Sequence, residues 1–242
     1  MLLARQRIDG CIPAVYDDVN DTYRNIKMSY TLYYSPGAAS FSVHWMLLEL
    51  GLPFKAVRID INNGAQHDPK YRLLNPEGRV PTLIVDDAPR GESAALLMLL
   101  AERHPEAALA PAPGATDRAA WFEMMIYLAN TLLPAMRDWF YAATDGDPAG
   151  AEAVKALARR RIEAAWEKLN QHLSDDRAFL LGEALTTVDF LATMLMRWSR
   201  HMPRPATEWP CLMRYITAMR ARPSFLELNT REGLSEWQNA AQ

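Results

Sequence analysis

The run Asn75-Pro76-Glu77-Gly78-Arg79-Val80-Pro81-Thr82-Leu83-Ile84-Val85 decides the fold of this chain. Its second half is a clear β run, headed by a proline and ended by the Asp86-Asp87 turn. Ala88 to Gly91 then reads as a short strand, which Pro89 either places at a sheet edge or disrupts, because proline donates no ladder hydrogen bond. Glu92-Ser93 leads into an apolar helix, Ala94 to Arg103, that His104-Pro105 ends. Upstream, Thr31 to Tyr34 is rich in β-formers, Ser35-Pro36-Gly37 turns the chain, and Ser40 opens an apolar run to Leu50. Val43, Met46, Leu47 and Leu50 follow the spacing of one buried helical face, and Gly51 and Pro53 close that helix. Phe54 to Ile61 alternates as a second strand. The order is βαβ followed by ββα, a mixed α/β domain.

Downstream, Ala110-Pro111-Ala112-Pro113-Gly114 has the composition of a semi-rigid linker. Beyond it the periodicity predicts helices over Asp117 to Ala142, Ala149 to Leu173, Val188 to Arg200 and Pro210 to Ala221. The chain therefore divides into a loosely ordered extension (1–29), an α/β domain (30–109), a linker (110–116) and an all-helical domain (117–242). The extension balances Arg5, Arg7, Arg24 and Lys27 against Asp9, Asp17, Asp18 and Asp21, unlike a secretory signal. Met28, just before the first convincing strand, is a second place where translation could begin.

Composition narrows the function. The 242 residues carry 26 Lys+Arg against 29 Asp+Glu, a net charge of -3, which gives no electrostatic case for nucleic acid. Arg159-Arg160-Arg161 lies mid-helix beside Glu152, Glu163 and Glu167, so it reads as a solvated face. No apolar stretch approaches the roughly 20 residues of a membrane helix. Cys11 and Cys211 are far apart and form no CxxC, and a reducing cytoplasm is the expected setting. His44, His67, His104, His172 and His201 show no metal-ligand spacing, and no metal is expected. GxGxxG after a strand, GxxxxGK[ST] and GxSxG are all missing.

Three places in the first domain remain. Ser40 stands where a helix follows a strand, with Tyr34 and Ser35 nearby. As structure it is a helix cap and Ser35 a turn former; as chemistry, a hydroxyl at a helix N-terminus donates to a bound thiolate that the helix field also favours. Val80-Pro81, if cis, would turn the Val80 N–H and C=O outward to pair with an extended peptide. Glu92-Ser93 caps a helix, or else its free N–H groups and the Ser93 hydroxyl hold a carboxylate while Glu92 accepts from an ammonium. An α-amino acid terminus presents both charges together.

These three places, in this order and followed by a linker and helices, resemble the glutathione transferase family from Tyr30 to about Glu232. Asn75 to Leu83 is similar to the family's cis-proline segment, and Glu92-Ser93-Ala94-Ala95-Leu96 to its γ-glutamyl-binding turn. Gly182-Glu183-Ala184-Leu185-Thr186-Thr187-Val188-Asp189 resembles its folding motif, in which a Thr and an Asp three residues on cap a core helix reciprocally. Tyr34-Ser35-Pro36-Gly37-Ala38-Ala39-Ser40 resembles the opening of the bacterial beta-like branch, with Ala39 in the cysteine position and His44 where the branch has a histidine. Leu133-Pro134 occupies the approximate place of that branch's His-Lys pair.

The resemblance implies a thioredoxin-like first domain, glutathione as co-substrate along Val80 and Pro81 with its γ-glutamyl end at Glu92 and Ser93, and a thiolate near Ser40, Ser35 and Tyr34. It implies attack on a small apolar electrophile in conjugation, dehalogenation or isomerisation, and a homodimer; Trp121, Met125, Trp139 and Phe140 could wall its pocket, although such residues are more often core. The alternative is a binding or interaction protein that keeps the fold without turnover.

Overall fold

Four strands form one mixed sheet in the order β2-β1-β3-β4 in the computed structural model, which describes residues 30–237. The extension expected over 1–29, with Cys11 and Met28, lies outside the described residues. Strand β1 (Tyr30–Tyr34) is central, parallel to β2 (Phe54–Arg58) and antiparallel to β3 (Thr82–Val85), which pairs in turn with β4 (Ala88–Arg90). Pro89 thus sits on an edge strand, where its missing N–H costs no ladder bond. β2 stops three residues earlier than its alternation predicts, because the Asp60 side chain accepts from the Asn63 N–H and bends the chain into a 3-10 turn, Ile61–Asn63.

Helices α1 (Phe41–Glu49), α2 (Pro69–Arg72) and α3 (Ser93–Arg103) complete the first domain. The heptad-like spacing in α1 predicts one buried face, yet Phe41 through Leu47 are all buried. The reason is that α1 has neighbours all round: α3 and β1 on its own domain, and the helical domain on the other.

Residues 108–117 carry no helix or strand. After them come α4 (Arg118–Tyr127), α5 (Leu133–Tyr141), α6 (Ala151–His172), α7 (Thr187–Trp198), α8 (Pro210–Arg220) and α9 (Pro223–Glu232). The single helix expected over 117–142 is instead two, joined by a π segment, Leu128–Leu132. Pro134 has no N–H to return to the preceding turn, and the wider π turn absorbs that loss. Helix α9 was not separately legible as periodicity; Pro223 at its first turn and Gly233 in the left-handed conformation at its end were the available signals.

At the centre of the helical domain, α7 is buried from Thr187 to Arg197. Thr186 and Asp189 form the reciprocal capping box expected from their spacing. The Asp189 carboxylate also accepts from the Leu180 N–H at 3.0 Å and the Tyr215 hydroxyl at 2.9 Å, so one buried side chain joins three segments. Nearby, the Thr187 N–H donates to the Leu109 carbonyl at 2.8 Å and ties residues before the helices to the core. Arg159 pairs with Glu163 one turn on, as its spacing predicts.

Candidate active site

Strand register brings the three sequence-selected places together. β1 and β3 pair Tyr33 with Thr82, and continuing that antiparallel register by two residues sets Ser35 toward Val80. β3 and β4 pair Leu83 with Arg90, and the same continuation sets Glu92 toward Pro81. A Cβ at Gly91 would accordingly stand 3.9 Å from the Pro81 carbonyl oxygen. Thus the end of β1, the start of β3 and the start of α3 meet at one end of the sheet, each at the point where regular pairing stops and main-chain groups become available to a ligand.

The Val80–Pro81 bond is cis. The loop before it is held by a closed polar network. The Tyr71 hydroxyl donates to the Arg79 carbonyl at 2.6 Å, and Asn75 Nδ2 reaches the same carbonyl at 2.9 Å and Thr82 Oγ1 at 3.0 Å. Thr82 Oγ1 lies 2.9 Å from the Tyr71 oxygen and completes the circuit. Burial raises the Tyr71 pKa, which keeps the phenol protonated as a donor. Gly78 is required there: its φ is +60°, and a Cβ would stand 2.9 Å from the Gln66 carbonyl oxygen.

The serines occupy roles that capping arguments do not predict. Ser40 has helical backbone angles and its side chain makes no capping bond. Its hydroxyl is fully buried, donates to the Ser35 carbonyl at 3.1 Å and accepts from the Ser35 N–H at 3.1 Å. Against the expectation of a Ser40 proton aimed at a bound sulfur, that proton here closes the Ser35–Ser40 turn. Ser35 is also buried, and Tyr34 lies half-buried with its ring 4.9 Å from that of His44.

Similarly, Ser93 is the first residue of α3 and Glu92 precedes it without a side-chain cap. The Ser93 hydroxyl donates to the Ala39 carbonyl at 2.7 Å, across 54 residues of sequence. This bond links the Ser35–Ser40 turn to the helix start on the opposite side of the cis-proline. With the Ser93 proton so engaged, the groups at this helix start left to meet an anion are the first-turn N–H groups of α3. Glu92 is exposed and holds φ at +67°, a conformation costing on the order of 1–3 kcal/mol for a residue with a Cβ. Such strain is concentrated where a backbone group must be presented in a fixed direction.

The helical domain grips the same turn, and these residues were not selected from the sequence. The Gly37 N–H donates to Glu232 Oε2 at 2.7 Å and the Gly37 carbonyl accepts from the Trp198 indole at 2.9 Å. The other carboxylate oxygen of Glu232 is 2.8 Å from His44 Nδ1, both side chains being buried. Gly37 has φ of +67°, and a Cβ there would lie 2.8 Å from Arg197 Nη1. Only the Ser-Pro-Gly turn itself was a sequence signal; Glu232 and Arg197 are more than 150 residues away, beyond the reach of spacing arguments.

Among the expected wall residues, Trp121 and Met125 are fully buried, and the Trp121 indole donates to Thr187 Oγ1 at 2.8 Å. They are core, the more common of the two readings. Phe140 is 48 % exposed and packs edge-to-face on Trp198, the residue that holds Gly37, while Trp139 is half-buried. An apolar surface is therefore available beside the turn. Among the described residues no group of three His, Cys, Asp or Glu side chains is placed to hold a metal, and no helix is long and apolar enough to cross a membrane.

Residues 30–108 match the family model for the glutathione S-transferase N-terminal domain, and residues 151–218 that for the C-terminal domain. Glutathione S-transferase GstA of Escherichia coli O157:H7 is 26% identical over 205 residues, covering 84% of this chain and 98% of that protein. Protein URE2 of Debaryomyces hansenii is 37% identical over 79 residues, 31% of this chain and 26% of that protein. A glutathione transferase homologue from Sulfitobacter, solved with bound glutathione, superposes with a TM-score of 0.77 at 27% identity, covering 84% of this chain and 98% of that one.

Proposed function

Because the chain belongs to the glutathione transferase superfamily, with its thioredoxin-like first domain and helical second domain, we propose that it binds glutathione at the sheet end described above and directs the thiolate at a small apolar electrophile. The observation that carries this reading is the Ser93–Ala39 hydrogen bond, which holds the helix-start and thiol-side elements in one frame around the cis Val80–Pro81 bond. In that frame the cysteinyl main chain pairs with Val80, and the γ-glutamyl carboxylate takes the first N–H groups of α3 with Glu92 beside the ammonium. The sulfur then lies at the N-terminal end of α1.

A free thiol titrates near pH 8.5. Lowering that by about two units takes roughly 2.7 kcal/mol, which one charge-assisted hydrogen bond and the helix field together supply. With the Ser40 proton engaged in the turn, Ser35 is the leading donor; Ser40 positions it through both of its main-chain groups, and Tyr34 stands next. The electrophile rests on the Phe140 and Trp198 rings. A cytoplasmic homodimer is part of the same reading.

The second reading is a glutathione-binding protein without turnover. Ala39 supplies no thiol of its own, and a 79-residue stretch of the chain is 37% identical to Protein URE2. Titration of the thiolate absorbance with bound glutathione, followed by a panel of electrophiles scored by glutathione consumption, separates the two. A depressed thiol pKa with turnover supports the transferase; calorimetric binding with neither leaves the binding protein; no heat with glutathione refutes both.

A further inference from the structure

Glu232 poses an electrostatic problem for a thiolate site. Its carboxylate is buried and takes the Gly37 N–H, so it places negative charge directly behind the turn that is to receive an anion. The other group known to contact it is His44, whose Nδ1 must carry the proton of that hydrogen bond and whose Nε2 finds no partner among the described residues. One guanidinium lies in the same place. Arg197, on the last turn of α7, is 2% exposed, its Nε has no hydrogen-bond partner among the described residues, and its Cζ sits 5.4 Å from the Phe41 ring centroid at the start of α1. Its Nη1 occupies the space that any side chain at position 37 would need.

We propose that Arg197 is a further positioning residue of the thiol site, acting through Glu232 and Gly37: its guanidinium is the counter-charge that lets Glu232 hold the Gly37 N–H without making the turn repel a thiolate. A buried cation with an unbonded Nε is costly, and the space kept for it by Gly37 and the facing Phe41 ring argue for a purpose at this turn. Of the charged groups around it, Glu232 on α9 and Glu236 beyond α9 favour its charge, whereas Arg200, one turn on, opposes it. Desolvation brings its pKa down to about 10, which still leaves it charged at neutral pH.

This inference rests on the proposed function, and its test is read on the thiolate absorbance of bound glutathione, with affinity by calorimetry and unfolding midpoint as companions. Arg197→Met, which keeps the stem volume and removes the charge, is expected to raise the bound thiol's pKa by about one unit, a tenfold loss of thiolate below that pKa. Glu232→Gln alone should lower it, and the double variant should return it close to the parent value. Arg197→Lys should preserve it. An unchanged thiol pKa in folded Arg197→Met, or no recovery in the double variant, overturns the proposal. Should Arg197→Met fail to fold, an unchanged or raised pKa in Glu232→Gln overturns it equally. A parent protein that binds no glutathione refutes the functional reading itself, whereas a depressed parent pKa that the variants do not move refutes only the role of Arg197.

Discussion

Replacing Asp189 by Ala should cost about 3–5 kcal/mol of stability. In the native protein its carboxylate serves the Leu180 N–H at 3.0 Å, the Thr186 N–H at 2.8 Å and the Tyr215 hydroxyl at 2.9 Å, all buried. Each donor left without an acceptor costs about 1–3 kcal/mol, so the gross loss is about 3–9 kcal/mol before any relief. Relief exists, because burial pushes the Asp189 pKa up against the hydrogen bonds that pull it down, and truncation removes that desolvation. The net therefore falls in the lower half of the gross range. Urea unfolding followed by tryptophan fluorescence measures it, since Trp121 and Trp166 are fully buried in the helical domain. With a slope of about 2–3 kcal/mol/M the midpoint should drop by roughly 1–2 M. Asp189→Asn, which keeps one acceptor but turns an amine toward the donors, should recover less than half of the loss. A midpoint shift under about 0.3 M for Asp189→Ala would refute the view that this carboxylate ties the three segments together.

Ser93→Ala removes the donor to the Ala39 carbonyl and should weaken glutathione binding about five- to tenfold, roughly 1–1.4 kcal/mol, by calorimetry; unchanged affinity would show that the two sides of the site are held by other means. Tyr71→Phe opens the network around Arg79 and Thr82, and a stability loss of about 1–1.5 kcal/mol with a few-fold weaker glutathione affinity is expected by denaturation and titration. Gly37→Ala combines an unfavourable left-handed φ with the contact against Arg197, so a loss of about 2 kcal/mol and a larger fall in turnover than in affinity should appear in steady-state kinetics. Asp175, exposed and bonded to Arg177, has its pKa lowered from 3.8 to about 2. The stability from that pair is present above pH 3.8 and is lost as pH falls toward about 2. Asp175→Asn should flatten the acid limb of the stability profile over that window, and an unaltered limb would exclude the contribution.

What was legible in the sequence was what local chemistry encodes. The β run after Pro81 had to be a strand, seen as Thr82–Val85, Pro89 could stand only at an edge of an intact strand, and Thr186 with Asp189 at capping-box spacing had to cap one helix end; each depends on residues a few positions apart. The break in the helix over 117–142 was signalled by Pro134 but obscured by the apolar run around it, where tertiary packing overrides a local disfavour. The buried set of α1 exceeded its predicted face because periodicity records only one partner, whereas α1 has the sheet side and the helical domain against it. Ser40 and Ser93 are residue types suited to an anion site, and both stand near the sheet end where β1, β3 and α3 meet. Their protons, however, go to carbonyls at Ser35 and Ala39, an outcome fixed by where the turn folds back and not by residue type.

The division of labour between the domains follows from the same facts. The sheet register alone gathers Ser35, Val80 and Glu92 at one end of the first domain, so the place where a peptide can lie is a property of that domain. The geometry of the turn proposed to face the sulfur is not. Both main-chain polar groups of Gly37 are satisfied by the helical domain, through Glu232 and Trp198, and its missing side chain makes room for Arg197 from the same source. A first domain released from its helices would keep the strand edge and lose the fixed turn. Glutathione affinity and thiol acidity should therefore separate when the interface is perturbed: substitutions in the cis-proline loop act on affinity, and substitutions at Trp198, Arg197 or Glu232 act on the thiol.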